Sequence, residues 1–329
     1  MLINATNTVN CLLFDISILK TPLIVVLSII AFIFLTCLLI TLIIFKKAFG
    51  RNKAVSTETN PLYVDYRKTM KDGADYFLTL NPESVYITAK EGFKLHGYFY
   101  KNPDHRGTVI FMHGHHGDAL LTFGTITKIF KDMGFSILLP DQRAHGKSEG
   151  KYLTLGVKEG DDCVLWAEYI ANKFPNSPIG LHGISLGGAT VGIAGAQKLP
   201  KEVKTIANDC GFTSPDDIIS SIRRSLKLPK FPFQYFIRFW ARALGKFSLR
   251  EKSVTECYKK IKLPCLFIHG VADDFIPYSM GVANYEACAS ENKLMIAVEN
   301  AGHGLAYIMA PEYVTKGLTE FYKKHMLNE

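Results

Sequence analysis

Residues 183–187 read Gly-Ile-Ser-Leu-Gly, which places a serine between two glycines at the spacing of a nucleophile elbow. The apolar residues 179–182 before this segment predict a buried strand. The small residues 188–196 after it predict a helix that packs closely on a sheet. A strand, a sharp turn and a helix expose the hydroxyl of the central serine, and glycines relieve the crowding at the turn. We therefore expect Ser185 to act as a nucleophile.

A serine hydroxyl needs a base that takes its proton and an acid that orients the base. Asp273 follows the predicted strand 265–268, and His303 lies between two glycines in a loop after the predicted strand 294–298. The sequence therefore predicts His303 as the base and Asp273 as the acid. Asp274, the next residue, and Asp209, after an earlier strand, compete with Asp273 for the role of the acid.

The oxyanion that forms during attack is usually held by two backbone N–H groups. Leu186, directly after the serine, would supply one of them, and His115 would supply the other from the loop 113–118. Three histidines and an aspartate in this loop make a zinc site an alternative. The ligands of such a zinc site would be nearly consecutive in the sequence, and no second cluster of ligand residues would complete the coordination shell. We expect no metal and no organic cofactor.

A second G-x-S-x-G pattern, at residues 146–150, lacks the setting of an elbow. Residues 141–145 separate it from the preceding strand, so Ser148 is not expected to be a nucleophile. The same Gly-Lys-Ser is not a phosphate-binding loop, because Asp141 stands where its first glycine would be.

The pattern of apolar residues along the chain predicts an α/β fold. Residues 84–89 and 93–101 alternate apolar and polar side chains around Glu91-Gly92, which is typical of a hairpin. Short apolar strands then alternate with helical stretches, which predicts a mostly parallel sheet covered by helices. In such sheets the ligand site lies beyond the carboxyl ends of the strands, where each motif above is found.

Residues 22–45 contain no charged side chain and are mostly Leu, Ile, Val and Phe. About 20 apolar residues cross the hydrocarbon core of a bilayer, so the segment predicts a transmembrane helix. A cleaved signal peptide is the alternative, but the stretch is too long and no A-x-A site follows it. Four Lys or Arg follow it at positions 46–53, whereas Lys20, offset by Asp15, precedes it. The positive-inside rule then predicts a cytoplasmic catalytic domain.

The composition excludes some other classes of protein. The net charge of +8 comes without a run of basic residues, so nucleic acid is not an expected partner. The seven cysteines lack C-x-x-C spacing and indicate a reducing compartment. The predicted organisation is a short N-terminal segment, 1–21, the helix 22–45, a membrane-proximal connector, 46–81, and a catalytic domain, 82–329. The sequence leaves the oligomeric state open.

Residues 213–255 interrupt the alternation and predict a small helical cap over the active site. A helix over 232–244 carries a polar row, Gln234, Arg238 and Arg242, and is otherwise mostly apolar, so more than half of its circumference must be covered. Residues 214–252 hold nine Lys or Arg against three Asp or Glu. The cap either packs on the domain with solvated basic faces, or forms an aromatic and basic lid that rests on an anionic membrane and admits lipid-like substrates.

These motifs together resemble the α/β-hydrolase superfamily, in particular its membrane-bound bacterial serine hydrolases, often called cell-surface hydrolases. The resemblance covers about residues 82–326. It rests on the HGxxG loop at 113–117, on a D-x-R-x-H-G-x-S-x-G turn at 141–150, on the elbow, on G-x-x-D-x-x-I-P at 270–277 and on the G-H-G loop at 302–304. It implies Ser185 as nucleophile, His303 as base and Asp273 as acid. The label "cell-surface" implies the opposite orientation from the flanking charge.

The expected function is that of a single-pass, membrane-anchored serine hydrolase cleaving carboxylic esters or thioesters through an acyl-enzyme. Its expected partners are a small or lipid-like ester and the bilayer. An aminopeptidase or amidase of the same superfamily is the first alternative, against which the basic cap counts modestly. A catalytically silent, membrane-tethered binding protein on the same scaffold is the second.

Overall fold

The computed structural model describes residues 5–51 and 61–329, with side chains at 20–51 and 63–329. Within these ranges, eight strands form one sheet in the order β1-β2-β4-β3-β5-β6-β7-β8. Strand β2 pairs antiparallel with β1 and β4, and all other neighbours are parallel. The strands are β1 (Glu83–Thr88), β2 (Lys94–Tyr100), β3 (Gly107–Met112), β4 (Phe135–Pro140), β5 (Ile179–Ile184), β6 (Val203–Asp209), β7 (Cys265–Gly270) and β8 (Lys293–Val298).

The strands from β3 to β7 are almost fully buried, because helices cover the sheet on both faces. The helices are α1 (Ala5–Phe49), α2 (Arg67–Thr79), α3 (Ala119–Asp132), α4 (Glu159–Lys173), α5 (Leu186–Gly195), α6 (Pro215–Ser225), α7 (Phe233–Ala243), α8 (Val254–Tyr258), α9 (Tyr278–Ala287), α10 (Ala306–Met309) and α11 (Pro311–Tyr322). A 3-10 helix, Pro61–Tyr66, precedes α2, and a short π-helix, Lys323–Leu327, follows α11. The predicted fold class and the initial hairpin are confirmed.

Helix α1 contains the predicted span 22–45 within a longer helix. Residues Lys20–Phe49 are long and apolar enough to cross a bilayer, with a mean hydropathy of 3.2 in the most apolar window, none of which is buried. The carboxyl end of α1 differs, because Phe45 and Phe49 lie in the hydrophobic core. The first four residues of the predicted segment 1–21 lie outside the described residues.

The predicted connector, 46–81, is in part an integral piece of the folded domain. Its residues 52–60 lie outside the described part of the chain, but α2 packs tightly on α3. At this crossing the two backbones touch, since a Cβ on Gly124 would lie 2.4 Å from the backbone nitrogen of Ala74. Phe77 of α2 is fully buried. Residues 67–79 therefore pack on the folded domain, and their sequence looks polar because only one face of the helix is apolar.

Helices α6, α7 and α8 occupy the region of the predicted cap, but α7 packs along α1. The rings of Phe236 and Phe34 meet edge to face with centroids 5.0 Å apart. The indole nitrogen of Trp240 donates a hydrogen bond to the Thr41 hydroxyl over 3.2 Å. The insertion therefore lies beside the apolar helix.

The polar row of α7 faces the protein instead of solvent over most of its length. Asp216 on α6 accepts hydrogen bonds from Arg238 (2.8 and 2.6 Å) and from the buried Gln234 (3.3 Å). The Asp216 carboxylate therefore holds Gln234 and Arg238 toward the protein. The aromatic side chains of Tyr235 and Phe239 lie on the outside of the helix.

Candidate active site

Ser185 lies on a sharp turn between β5 and α5, with φ of 58° and ψ of −115°. Its amide donates to the carbonyl of Asp209 over 2.8 Å, which fixes the turn against β6. The flanking glycines are required sterically: a Cβ on Gly187 would lie 1.7 Å from the carbonyl oxygen of Met112, and a Cβ on Gly183 would lie 2.0 Å from that of Gly187. Residues 183–187 therefore have the strand, turn and helix geometry of an elbow.

The structure brings together the three residues predicted to act on a substrate. The Nε2 atom of His303 lies 2.9 Å from Oγ of Ser185, and Nδ1 of the same ring lies 2.8 Å from Oδ2 of Asp273. All three residues are buried. This geometry allows His303 to take the serine proton while the carboxylate fixes the tautomer of the ring.

Asp273 stays ionised in this setting. Burial opposes its charge, but hydrogen bonds from His269, His303 and the Ile276 amide lower its pKa to about 2. The Oδ1 atom accepts from the amides of Phe275 (3.0 Å) and Ile276 (2.8 Å), whereas Oδ2 faces His303 (2.8 Å) and, farther away, His269 (3.4 Å). A carboxylate held by two amides is a rigid partner for an imidazole.

The two competitors of Asp273 have different surroundings. Asp274 is exposed. Asp209 is buried in the wall of the same pocket as Ser185, and burial raises its pKa to about 6. Among the described residues, its Oδ1 atom has no hydrogen-bond partner. Asp209 therefore has a buried acceptor atom to which no described residue donates.

The loop after β3 lies against the serine. A Cβ on Gly114 would be 3.4 Å from the Cβ of Ser185, and His115 lines the pocket next to it. Leu186 is the first residue of α5, so its amide belongs to the N–H groups that a helix leaves without an internal partner at its amino end. Leu186 thus follows the serine at the positive end of the dipole of α5, and His115 lies in the neighbouring loop.

Two histidine side chains of this loop hold the end of α1. The Nε2 atoms of His115 and His116 donate to the carbonyls of Ala48 (2.6 Å) and Gly50 (3.1 Å). Burial, together with the neighbouring His116, lowers the pKa of His115 to about 4, so this ring is neutral near pH 7. The contact joins the apolar helix directly to the loop beside the serine.

The remaining polar side chains of the loop also bond to backbone atoms. His113 donates from Nδ1 to the Gly114 carbonyl over 2.8 Å. Asp118 caps α3 by accepting from the Leu121 amide over 2.9 Å. The side chains named as zinc ligands therefore bond to different backbone groups instead of converging on one point.

The turn at 141–150 is hydrogen-bonded to the loop 113–118. The Nε2 atom of His145 accepts from the His116 amide over 3.0 Å. Ser148 is fully buried and donates to the Asp141 carbonyl over 2.5 Å. Its hydroxyl therefore serves the turn and is not placed as a nucleophile.

One group of possible metal ligands coincides with the site already described. Atoms of Cys210, Asp273 and His303 lie within 4.8 Å of one another. The carboxylate and the imidazole already share a hydrogen bond, and burial beside Asp209 raises the pKa of the Cys210 thiol. A neutral thiol is a poor metal ligand.

The pocket beside Ser185 is a cavity of about 150 Å³ with a mostly apolar lining. Its described walls come from the 3-10 helix, α2, α3, α10, α11 and the strand ends. Residues 213–255, the predicted cap, do not line this cavity. Sequence reasoning missed the wall residues Tyr63, Met70, Phe123, Phe275, Tyr307 and Ile308. Tyr63 belongs to an apolar patch, Pro61–Val64, in the polar connector, which was its one available signal.

Several known proteins are similar to this chain in sequence or in fold. A family model described as serine aminopeptidase, S33, matches residues 103–230. The Bacillus subtilis protein YqkD is 29% identical over 252 residues, which cover 76% of this chain and 82% of the relative. A membrane protein of Saccharomyces cerevisiae is 24% identical over 221 residues, covering 67% and 73% of the two chains. An esterase of Pyrococcus furiosus has the same fold with a TM-score of 0.63 and 25% identity, covering 76% of this chain and 94% of that chain.

The sheet order, the elbow and these relatives together define the class. The chain has the α/β-hydrolase fold that the sequence motifs predicted, and it is similar in sequence and structure to proteins of that superfamily. The matching family model and the esterase of the same fold support hydrolase chemistry for it.

Proposed function

We propose that this chain is a single-pass, membrane-anchored serine hydrolase that cleaves carboxylic esters or thioesters. The observation that carries the proposal is the pair of hydrogen bonds from Ser185 to His303 (2.9 Å) and from His303 to Asp273 (2.8 Å). The serine has a positive φ of 58°, which costs free energy in a residue with a side chain. Such strain clusters at functional sites.

The reaction proceeds in two steps, acylation of the serine and hydrolysis of the acyl-enzyme. As the oxygen of Ser185 bonds to the substrate carbonyl carbon, His303 takes the hydroxyl proton and then gives it to the departing alkoxide or thiolate. Water next attacks the acyl-enzyme with the help of the same ring, which releases the carboxylic acid and restores the serine. The amides of Leu186 and His115 stabilise the oxyanion, each contributing roughly 10²–10³ in rate.

The pocket favours an acyl chain of at least moderate length. Its apolar lining includes Phe123, Ile126, Ile184, Val314 and Leu318. An apolar chain gains about 0.8 kcal/mol for each buried CH₂ group, so longer esters should bind more tightly until the pocket is filled. A series of p-nitrophenyl esters measures this directly. Activity confined to the acetyl ester would contradict the assignment of the substrate.

The anchor is α1, and the excess of basic residues after it supports a cytoplasmic domain. Exposure at the cell surface is the alternative. Protease added to intact cells distinguishes the two orientations, because it removes the hydrolase domain only if that domain is outside.

Labelling of membranes with a fluorophosphonate probe tests the nucleophile. We expect wild-type protein to be labelled and Ser185→Ala to be unlabelled, because the probe reacts with an activated serine. Ser225→Ala, at an exposed position on α6, is the matched control and should be labelled like the wild type. Equal labelling of Ser185→Ala would overturn the assignment of Ser185. Absence of labelling in every form would favour the catalytically silent binding protein.

An aminopeptidase is the second candidate, because of Asp209. Its buried carboxylate has an unpaired Oδ1 atom in the pocket wall and would be an anchor for the amine of a peptide substrate. The matching family model supports this candidate as well. Aminoacyl p-nitroanilides measured beside the esters decide between the two. Turnover of the anilides that Asp209→Asn abolishes, while ester turnover remains, would favour the peptidase.

A further inference from the structure

Helix α7 and the residues before it present an aromatic row that no described part of the chain covers. Phe231, Tyr235 and Phe239 follow one another at four-residue spacing and are 65%, 49% and 50% exposed. Leu226, in the turn after α6, is 63% exposed. Burying such side chains is worth about 1.5–3 kcal/mol each, so an uncovered row of this kind marks a contact surface.

The place of α7 beside α1 indicates what covers the row. Phe236 packs on Phe34, and Trp240 hydrogen-bonds to Thr41. Every stretch of about 20 residues within 22–45 contains both Phe34 and Thr41. Wherever α1 crosses the bilayer within this apolar segment, α7 therefore lies against the crossing part, and its aromatic row is continuous with the lipid-facing side of α1.

Charged residues next to the row limit its depth. Arg224, Lys227 and Lys230 are exposed just before Phe231. Their long stems allow the cationic groups to reach lipid phosphates while the stems stay in an apolar layer. The span 22–45 is also longer than the minimum, so α1 can tilt and bring this loop toward the surface.

We infer that α7 is a second membrane-contacting element, whose aromatic row contacts lipid acyl chains beside α1. The inference rests on the proposed anchoring by α1 and not on the proposed hydrolysis. It assigns the insertion 213–255 to the membrane, whereas the pocket is enclosed by other elements. The hydrolase domain is then held at two places and keeps one face toward the lipid.

Photo-crosslinking of the full chain in vesicles of phosphatidylcholine and phosphatidylglycerol tests this arrangement. p-Benzoylphenylalanine replaces Tyr235, and after irradiation mass spectrometry identifies the adducts. Phe32, 71% exposed on α1, reports the anchoring itself when it carries the probe. Tyr313, 55% exposed, is the matched control, because α11 packs on the other face of the sheet from the buried end of α1.

We expect lipid adducts from positions 32 and 235 and at least tenfold fewer from position 313. Lipid adducts at 32 without any at 235 would overturn the inference and leave the anchor intact. Adducts at 235 to a second copy of the chain would overturn it in favour of a protein interface. Absence of lipid adducts at 32 would overturn the anchoring and this inference together. Fluorophosphonate labelling of the same samples reports on the proposed hydrolysis independently.

Discussion

One oxygen of the Asp273 carboxylate bonds to the backbone, and the other faces the ring of His303. The Oδ1 atom accepts hydrogen bonds from two backbone amides of its own loop, and the Oδ2 atom faces Nδ1 of His303. The loop therefore fixes the direction of the second oxygen before any substrate binds. Such preorganisation lets a carboxylate favour one tautomer of an imidazole.

Asp273→Asn should lower kcat for an ester substrate by roughly 10⁴, with a smaller change in KM, because an amide permits the wrong tautomer of His303. Asp274→Asn is the matched control, since that neighbour is exposed, and its kcat should stay near the wild-type value. Steady-state kinetics on one p-nitrophenyl ester measure both variants. A similar loss in the two variants, or none in Asp273→Asn, would contradict the assigned acid.

Sequence reasoning could find Ser185, Asp273 and His303 because each follows a recognisable strand. A parallel sheet brings the carboxyl ends of its strands to one edge, so local patterns sufficed to predict their proximity. The position of Tyr63 in the pocket wall and the unpaired Oδ1 atom of Asp209 could not be found in this way. Their roles depend on how separate segments pack, which neither periodicity nor spacing records.

At the scale of elements, α1 has two parts with different environments. Phe32 is 71% exposed, whereas Phe49 is 1% exposed and its ring lies 5.9 Å from that of Phe247. The Phe49 carbonyl accepts a hydrogen bond from the Leu153 amide over 2.9 Å. The last turn of α1 is therefore part of the domain core.

Phe49→Ala should lower the free energy of unfolding of the domain by about 3–5 kcal/mol, the usual cost of removing a buried aromatic ring. Phe32→Ala is the matched control on the same helix and should leave that free energy unchanged, because its ring lies outside the protein core. Denaturant unfolding in detergent micelles measures both. Equal stability of the two variants would show that the end of α1 is not packed in the core.

The strands and the elbow were predictable at the scale of elements, whereas the orientation of α7 was not. The strands between β3 and β8 are short apolar runs, so their positions depend on local composition. The row of Gln234 and Arg238 turns inward because Asp216 lies about twenty residues earlier in the chain. One distant carboxylate thus reverses the expected polar and apolar sides of the helix.

For the whole molecule, buried histidines set the dependence of stability on pH. Burial lowers the pKa of His113, His116 and His145, and it lowers that of His115 to about 4 and that of His182 to about 3. Between these values and the ordinary 6.5, the unfolded chain binds more protons than the folded chain. Stability is then fully present above about pH 6.5 and is lost as the pH falls toward 4. Asp209, whose pKa burial raises to about 6, opposes this in part.

We expect the apparent Tm in detergent to fall between pH 7.5 and pH 5. His116→Gln keeps a donor for the Gly50 carbonyl but cannot titrate, so its Tm should fall by a smaller amount over the same range. Thermal unfolding at the two pH values measures the difference. A Tm that rises toward pH 5 in the wild type would contradict the depressed histidine pKa values.

The junction of α1 with the domain limits how this protein can be rearranged. The carbonyls of Ala48 and Gly50 bond to the loop beside the serine, and Arg51 bonds through its guanidinium to carbonyls of the turn at 146–148. Helix α1 is therefore not an exchangeable module. Recombination that replaces it must join the new helix before Phe45 and preserve the helical phase. A boundary placed any later would separate the hydrolase from part of its own loop support.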